Sequence, residues 1–240
     1  MAIRRVRVLL TRTEEDIERD KPIFEREGFE VISMPLIEDV GLDFLPPQEE
    51  FDFVIFQSQK AVKHFFSKGK LTGKEKILAV GEKTKELLEK YGYKVWAMPL
   101  SYYGEELVKL LEGKTGKVLI PRSSIGREEV AQRLMDMGFE VVLLNVYETK
   151  LLEYPPEEFE EKLRISDFLV FASPSAVRSF FANLQKLSNR KVLKGKKVVC
   201  IGKTTKGEWE KLFDIECEIP EKPTMNEVLK TIKKLASFLQ

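Results

Sequence analysis

Short apolar runs alternate with amphipathic stretches of helical spacing along most of this chain. The clearest example lies in Ser166–Phe181, where the apolar run Phe168–Phe171 stops at the small and hydroxylic residues Ala172–Ser175. A pattern of helical spacing then begins at Ala176. This order predicts a buried strand, a tight turn whose hydroxyls and N–H groups open a helix, and then the helix itself.

The same strand, turn and helix pattern occurs earlier, at Phe51–Phe66. Six residues match at one constant offset, and the pairs are Phe56 and Phe171, Ser58 and Ser173, Ala61 and Ala176, Val62 and Val177, Phe65 and Phe180, and Phe66 and Phe181. A strand, helix and strand pattern that begins at Val6 recurs from Lys117, and there Arg12 matches Arg122. We therefore divide the chain into segments A, B, A′ and B′, which begin at Val6, Phe51, Lys117 and Ser166.

The lengths of the connections predict which segments share a domain. Segment B reaches A′ through 112–116 alone, the length of an ordinary helix-to-strand loop within one sheet. The connections from A to B and from A′ to B′ are longer, and each contains a Pro-Pro pair, Pro46-Pro47 and Pro155-Pro156, typical of a linker. This favours B with A′ and A with B′. The alternative groups A with B and A′ with B′, and leaves the short B to A′ joint unexplained.

The resulting fold prediction is α/β. We expect two flavodoxin-like doubly wound parallel-sheet domains of five strands each, joined by a two-segment linker. The first domain is discontinuous and comprises 1–38 plus 150–240, and the second comprises 42–147. The linkers lie near 36–42 and 146–152.

Composition narrows the class of protein. The 240 residues suit two domains, 43% are apolar, and the formal net charge is only +1, so the basic stripe typical of a nucleic-acid-binding protein is not expected. No stretch approaches the length of a membrane helix, and Met1–Leu10 lacks the apolar core of a signal peptide. We expect a soluble, cytoplasmic protein.

The residues most often used as metal ligands and nucleophiles are scarce. Cys200 and Cys217 each lie in an apolar, strand-like run, which predicts buried packing residues instead of a redox pair. His64 is the only histidine, and it stands where the later copy has Ser179. We therefore interpret His64 as structural and expect no site with several histidine ligands.

Ligands of doubly wound sheets bind beyond the carboxyl ends of the strands. Asp52 and Asp167 lie at the opposite ends, which argues against a phospho-acceptor domain. The carboxyl ends carry hydroxyls, arginines and helix N-termini, the donors that an anion receptor needs. The candidate positions are Arg12, Ser58, Gly81 to Thr84, Arg122 to Ser124, Ser173 to Ser175 including Pro174, and Gly202 to Thr205.

These positions have two other interpretations. Each serine or threonine could be a plain helix N-cap, although their repeated clustering favours ligand binding. Gly202-Lys203-Thr204-Thr205 is similar to the end of a phosphate-binding loop, but the upstream glycines are missing and the matching stretch reads Gly81-Glu82-Lys83-Thr84. Use of ATP or NAD is not supported.

Tyr147 departs from the internal repeat. The position that matches it in segment A is Ile37, so duplication alone does not account for a phenol there. Tyr147 lies where the second predicted domain enters its linker. It is either a hinge anchor or a residue with a chemical role.

Seven short motifs run the length of the chain: Leu9–Arg12, Phe56–Ser58, Ala79–Thr84, Val146–Thr149, Phe171–Ser175, Cys200–Thr205 and Lys222–Thr224. Each motif is degenerate alone, but their order and spacing together are specific. Together they resemble the uroporphyrinogen-III synthase family of tetrapyrrole biosynthesis. Gln59-Lys60 and Lys203 depart from the family pattern, so the resemblance assigns no specific substrate contact to Lys60 or Lys203.

The resemblance implies a cofactor-independent lyase (hydro-lyase) of porphyrin and heme biosynthesis. Such an enzyme closes hydroxymethylbilane into uroporphyrinogen III with loss of water and inversion of ring D through a spiro intermediate, without metal or organic cofactor. Carried over to this chain, the functional tyrosine is Tyr147, and the binding hydroxyls are those of Ser58, Thr84, Ser173, Thr204 and Thr205. The resemblance also implies a monomer, and we expect transient contact with hydroxymethylbilane synthase.

Two alternatives stay open at this point. A binding protein for an anionic metabolite would have similar corners but would need no Tyr147 and would show no turnover. A regulatory scaffold that acts through protein contacts would tolerate loss of both Ser58 and Ser173.

Overall fold

The computed structural model describes residues 4–100 and 104–237. In chain order the elements are β1 (Arg7–Leu10), α1 (Glu14–Glu25), β2 (Glu30–Ser33), β3 (Ile37–Gly41), β4 (Phe53–Phe56), α2 (Gln59–Phe66), β5 (Lys76–Ala79), α3 (Glu82–Lys90), β6 (Val95–Ala97), α4 (Gly104–Lys109), β7 (Lys117–Ser123), α5 (Glu129–Asp136), β8 (Glu140–Leu151), α6 (Pro156–Ile165), β9 (Phe168–Phe171), α7 (Pro174–Leu184), a 3-10 turn (Arg190–Leu193), β10 (Lys197–Cys200), α8 (Lys203–Leu212), β11 (Cys217–Glu218) and α9 (Met225–Ala236).

The chain divides into two compact units. Unit 1 comprises Met1–Glu38 with Lys150–Gln240, and unit 2 comprises Asp39–Thr149. The chain therefore passes between the units twice, within β3 and within β8.

Unit 1 contains a five-stranded sheet in the order β11-β10-β9-β1-β2. All four neighbouring pairs are parallel, and β1 lies beside both β2 and β9, so segments A and B′ share this sheet. If these five strands are numbered by their order in the chain, their spatial order across the sheet is 2-1-3-4-5, the flavodoxin-like arrangement. The predicted α/β class with parallel sheets is confirmed for this unit.

The core of unit 1 lies on both faces of its sheet, as the alternation of side chains along a strand requires. Leu9 and Leu169 face α6, α7 and α8, whereas Val8 and Val170 face α1 and α9. Trp209 is fully buried on the first face, and its indole N–H donates to the Ile215 carbonyl at 2.6 Å.

The six-stranded sheet has the order β3-β8-β7-β4-β5-β6. Five of its strands, β8-β7-β4-β5-β6, have the same 2-1-3-4-5 order as unit 1 if the strands of segment A′ are numbered before those of segment B. The renumbering is needed because segment A′ follows segment B in the chain. Helices α2 and α3 cover one face and α4 and α5 the other. The sequence predicts five strands for this domain, and β3 is a sixth.

A second difference concerns the connection that contains Pro155-Pro156. It is not a plain linker, because Pro156 opens α6. Proline suits the first position of a helix, where its missing N–H would have no intrahelical partner.

Cys200 and Cys217 are buried in the core of unit 1, as predicted. The contact with Cys217 raises the pKa of the Cys200 thiol, and burial raises it further.

Among the described helices none is long and apolar enough to cross a membrane.

Candidate functional site

The three central corners of unit 1 lie side by side. Strands β10, β9 and β1 are neighbours, and their carboxyl ends lead into Gly202, Ser173 and Arg12 respectively. In unit 2 the neighbours β5 and β4 lead into the corners that contain Gly81 and Ser58, and Arg122 lies at the carboxyl end of β7 beside them. Parallel strands thus bring together, within each unit, candidates that are distant in the sequence.

Ser58 and Ser173 are both helix N-caps, with nearly identical backbone angles. The Ser58 hydroxyl oxygen accepts from the Ala61 N–H and that of Ser173 accepts from the Ala176 N–H, each at 3.1 Å. Both side chains are half-buried. Because each oxygen accepts in its cap, the hydroxyl proton can serve as a donor to an anion beside the helix N-terminus.

The other candidate hydroxyls lie at different depths. Thr204 is half-buried, whereas Thr84 and Thr205 are buried in the first turns of α3 and α8. Ser175 is also buried, and its hydroxyl accepts from Arg178 Nη2 at 3.1 Å. Thr204 is therefore better placed to meet a ligand than the three buried residues.

Arg12 lies against two buried carboxylates of α1. Its Nε is 3.4 Å from Asp16 Oδ2, its Nη1 is 3.8 Å from Asp20 Oδ2, and 26% of its side chain is exposed. Arg19 pairs with the same two carboxylates. Burial lowers the pKa of Arg19, but Asp20 and Asp16 outweigh that effect and raise it. These pairs hold Arg12 in place and neutralise part of its charge.

Arg122 is held by the loop that follows β7 and by the neighbouring strand β8. Its Nε donates to Asn145 Oδ1 at 3.1 Å, its Nη1 to the Gly126 carbonyl at 2.9 Å, and its Nη2 to Glu128 Oε1 at 3.3 Å. Two of its guanidinium nitrogens thus bind the loop, and the third binds a side chain of β8. The sequence gives no local signal for this arrangement, because Asn145 belongs to β8.

Tyr147 lies at the carboxyl end of the neighbouring strand β7. It is opposite Ser123 in the register, and its carbonyl accepts from the Ser124 N–H at 2.9 Å. The residue is 9% exposed and belongs to the core that includes Val62 of α2. Its ring stacks on that of His64, with centroids 5.0 Å apart and planes at 19°.

Lys60 lies in the first turn of α2 and pairs with a carboxylate. Lys60 Nζ is 2.5 Å from Asp39 Oδ2, and the Thr149 hydroxyl donates to Asp39 Oδ1 at 2.7 Å. The Asp39 side chain is only 10% exposed. The sequence does not predict the contact among Lys60, Asp39 and Thr149. These three residues lie on α2, β3 and β8, the last of which also carries Tyr147.

Unit 2 also contains a cavity of about 440 Å³ away from these corners. Its lining includes Asp52, Lys76 and Thr115, at or beside the amino ends of β4, β5 and β7. Asp52 there accepts from the Lys117 N–H at 2.8 Å. The cavity therefore lies at the opposite edge of the sheet from Ser58 and Gly81.

A model of the family described as uroporphyrinogen-III synthase HemD matches residues 18–230, which is most of the chain. The chain belongs to the uroporphyrinogen-III synthase family. The resemblance inferred from the seven motifs is thereby confirmed.

Individual relatives agree with this assignment. One from Methanothermobacter thermautotrophicus, which carries the family's name, is 30% identical over 195 residues, or 75% of this chain and 77% of the relative. The uroporphyrinogen-III synthase of Chlorobaculum parvum is 25% identical over 226 residues, or 85% of this chain and 89% of that protein. The solved uroporphyrinogen-III synthetase of Helicobacter pylori has the same fold, with a TM-score of 0.66 at 22% identity over 97% of this chain and all of that one.

Proposed function

We propose that this chain converts hydroxymethylbilane into uroporphyrinogen III with loss of water and inversion of ring D. The observation that carries the proposal is the family match over residues 18–230. The alternative, a binding protein for an anionic metabolite without catalysis, is not favoured by the family or by the structural relatives.

The substrate carries eight carboxylates, so it needs many donors. Each unit offers donors at the carboxyl edge of its sheet, in the form of helix N-termini, capping hydroxyls and arginines. We propose that the substrate-binding residues are Arg12, Ser58, Gly81, Thr84, Arg122, Ser173, Pro174, Ser175, Gly202, Thr204 and Thr205. Of the hydroxyl-bearing residues in this set, Ser58, Ser173 and Thr204 need the least rearrangement because they are half-buried, whereas Thr84, Ser175 and Thr205 are buried.

The reaction itself draws on the chemistry of the pyrroles. The terminal hydroxyl takes a proton and leaves as water, and the resulting azafulvene is attacked by the ring D α-carbon that bears the bridge, which forms the spiro C–C bond. The old bond between that carbon and the methylene of ring C then breaks and returns its electron pair to ring D, which leaves an azafulvene at ring C. The free α-carbon of ring D attacks this methylene, closes the macrocycle and loses its proton, which restores the pyrrole. The protein has to orient the chain and stabilise charge.

We propose that the Tyr147 phenol donates the proton to the departing hydroxyl. A tyrosine is a competent proton donor when it lies within hydrogen-bond reach of the leaving group. Its place beside the carboxyl end of β7, at the edge that carries Ser58 and Gly81, supports this role. The departure from Ile37 at the matching position supports it as well.

Four further features complete the proposal: the domain organisation, the oligomeric state, the location and a partner. We propose that the two compact units are the two domains of the enzyme, with the chain crossings near 36–42 and 146–152 as linkers. The enzyme acts as a monomer in the cytoplasm and receives its unstable substrate by transient contact with hydroxymethylbilane synthase. Sedimentation at the concentration used for the activity assay tests the monomeric state, because a dimer would contradict it.

The test is incubation with hydroxymethylbilane, with the product isomers separated. Formation of isomer III in place of the spontaneous isomer I supports the reaction, and isomer I alone would overturn it. Tyr147→Phe should lower turnover by about 100-fold or more, the usual effect of a lost general acid. Tyr91→Phe is the control, because Tyr91 ends α3 at the opposite edge of the sheet. Unchanged turnover in Tyr147→Phe would remove Tyr147 from this role.

A further inference from the structure

His64 and Tyr147, whose rings stack, both depart from the internal repeat. His64 stands where the later copy has Ser179, and Tyr147 where the earlier copy has Ile37. The structure brings the two departures into ring contact. In unit 1 the Ser179 hydroxyl instead donates to the Leu152 carbonyl at 2.9 Å, and Ile37 is a buried core residue. The aromatic pair is therefore specific to unit 2.

The His64 ring is confined from a second side. A Cβ added at Gly41 of β3 would lie 3.2 Å from His64 Nδ1, so the backbone of β3 approaches the imidazole closely. His64 thus lies against Gly41 on one strand and the phenol ring of Tyr147 on another. Glycine at position 41 leaves the space that the imidazole fills.

A polar contact repeats this arrangement one step along the same elements. Lys60 precedes His64 by one helical turn, and Asp39 and Thr149 lie two residues from Gly41 and Tyr147 on their strands. These spacings place both groups on one face of α2 and on one face of each strand. Lys60 pairs with Asp39, which accepts from Thr149, so α2, β3 and β8 are joined beside the stacked rings.

From this geometry we infer that His64 is a positioning residue that sets the orientation of the Tyr147 ring. A phenol can rotate about two side-chain bonds, and its O–H direction follows the plane of the ring. An offset stack at 5.0 Å restricts that plane. Proton donation requires the O–H to point at the leaving hydroxyl, so a wider range of ring orientations lowers the fraction of productive encounters. The inference rests on the role proposed for Tyr147.

The test is a double-mutant cycle with His64→Ala and Tyr147→Phe, in which kcat, KM and isomer composition are measured. His64→Ala should lower kcat about tenfold, or about 1.4 kcal/mol in the activation free energy, with KM within about twofold. In the Tyr147→Phe background it should add little, because the group it orients is gone. His64→Phe keeps a stacking ring and should restore kcat to within about threefold of the wild type.

A second perturbation reaches His64 without changing either ring. Gly41→Ala places a methyl group against the imidazole and should lower kcat by about threefold with KM unchanged. Tyr91→Ala is the matched control, since it removes a stack of similar geometry with Phe66, at 5.0 Å and 22°, away from the site. It should lower stability but leave kcat at the wild-type value.

The outcomes separate this inference from the proposed function. Wild-type kcat in His64→Ala would overturn the inference. So would losses that multiply in the double variant, because His64 would then act independently of Tyr147. Unchanged turnover in Tyr147→Phe would overturn the role of Tyr147 and the inference together, while isomer III from the wild-type chain would still support the reaction.

Discussion

Ser58 offers a direct test of whether a helix cap also binds substrate. Ser58→Ala removes the 3.1 Å hydrogen bond from the Ala61 N–H and should lower the free energy of unfolding by about 1 kcal/mol. For a chain of this size the melting temperature should fall by about 2–4 °C. Ser58→Asp keeps a capping oxygen and adds a negative charge that the helix N-terminus favours. Its stability should stay within about 0.5 kcal/mol of the wild type.

The order of the two variants should reverse for substrate binding. Ser58→Asp, which is the more stable variant, should bind a polyanionic substrate less tightly than Ser58→Ala. A carboxylate at position 58 would repel a substrate carboxylate 4 Å away by about 1 kcal/mol in water and by about 4 kcal/mol at an effective dielectric constant of 20. Ser58 is half-buried, so the repulsion should lie between these limits. The expected rise in KM for Ser58→Asp is therefore at least about fivefold, and larger than that for Ser58→Ala.

The assay is KM for hydroxymethylbilane together with urea unfolding in the same buffer. Ser67→Asp is the control, because it places the same charge at the exposed opposite end of α2 and should leave KM unchanged. If Ser58→Asp kept the wild-type KM while Ser58→Ala lost stability, Ser58 would be a cap alone. The same pair of substitutions at Ser173 would then decide whether unit 1 differs.

Three further predictions concern stability. Gly81 has φ of 86°, in the region that favours glycine, whereas Gly202 is extended at −172°; in urea unfolding Gly81→Ala should cost about 1–3 kcal/mol and Gly202→Ala about 0.5 or less. Burial raises the pKa of Tyr154 to about 12, so its contribution to stability is complete below pH 10 and is lost as the pH rises toward 12. Unfolding measured at several pH values should show this loss in the wild type and not in Tyr154→Phe. Trp209→Ala should cost about 3–5 kcal/mol because the indole is fully buried, and a loss under 1 kcal/mol would contradict the packing described.

Much of the fold could be predicted because its signals are local. The run Phe168–Phe171, the cap at Ser173 and the helix after it form the strand, turn and helix that their order predicts. Ser58 repeats the result in unit 2. Apolar spacing and capping hydrogen bonds involve residues a few positions apart, so the sequence contains them directly.

Two elements escaped prediction for opposite reasons. Helix α6 has a local signal in the proline at its first position, but a Pro-Pro pair is equally typical of a linker. Strand β3, Ile37–Gly41, carries two acidic residues and little apolar alternation. It is a strand because it lies beside β8, and a partner distant in the chain leaves no local pattern.

The candidate site was predictable to a similar extent. The sequence by itself determined which corners carry hydroxyls, arginines and helix N-termini, because each corner lies at the end of its own strand. Only the tertiary structure decided that Arg12 and Arg122 spend their donors on neighbouring carboxylates and carbonyls. It also decided that His64 meets Tyr147, because the strand order of unit 2 brings α2 against β8. Contacts between distant elements depend on how the strands assemble, and local spacing does not specify that.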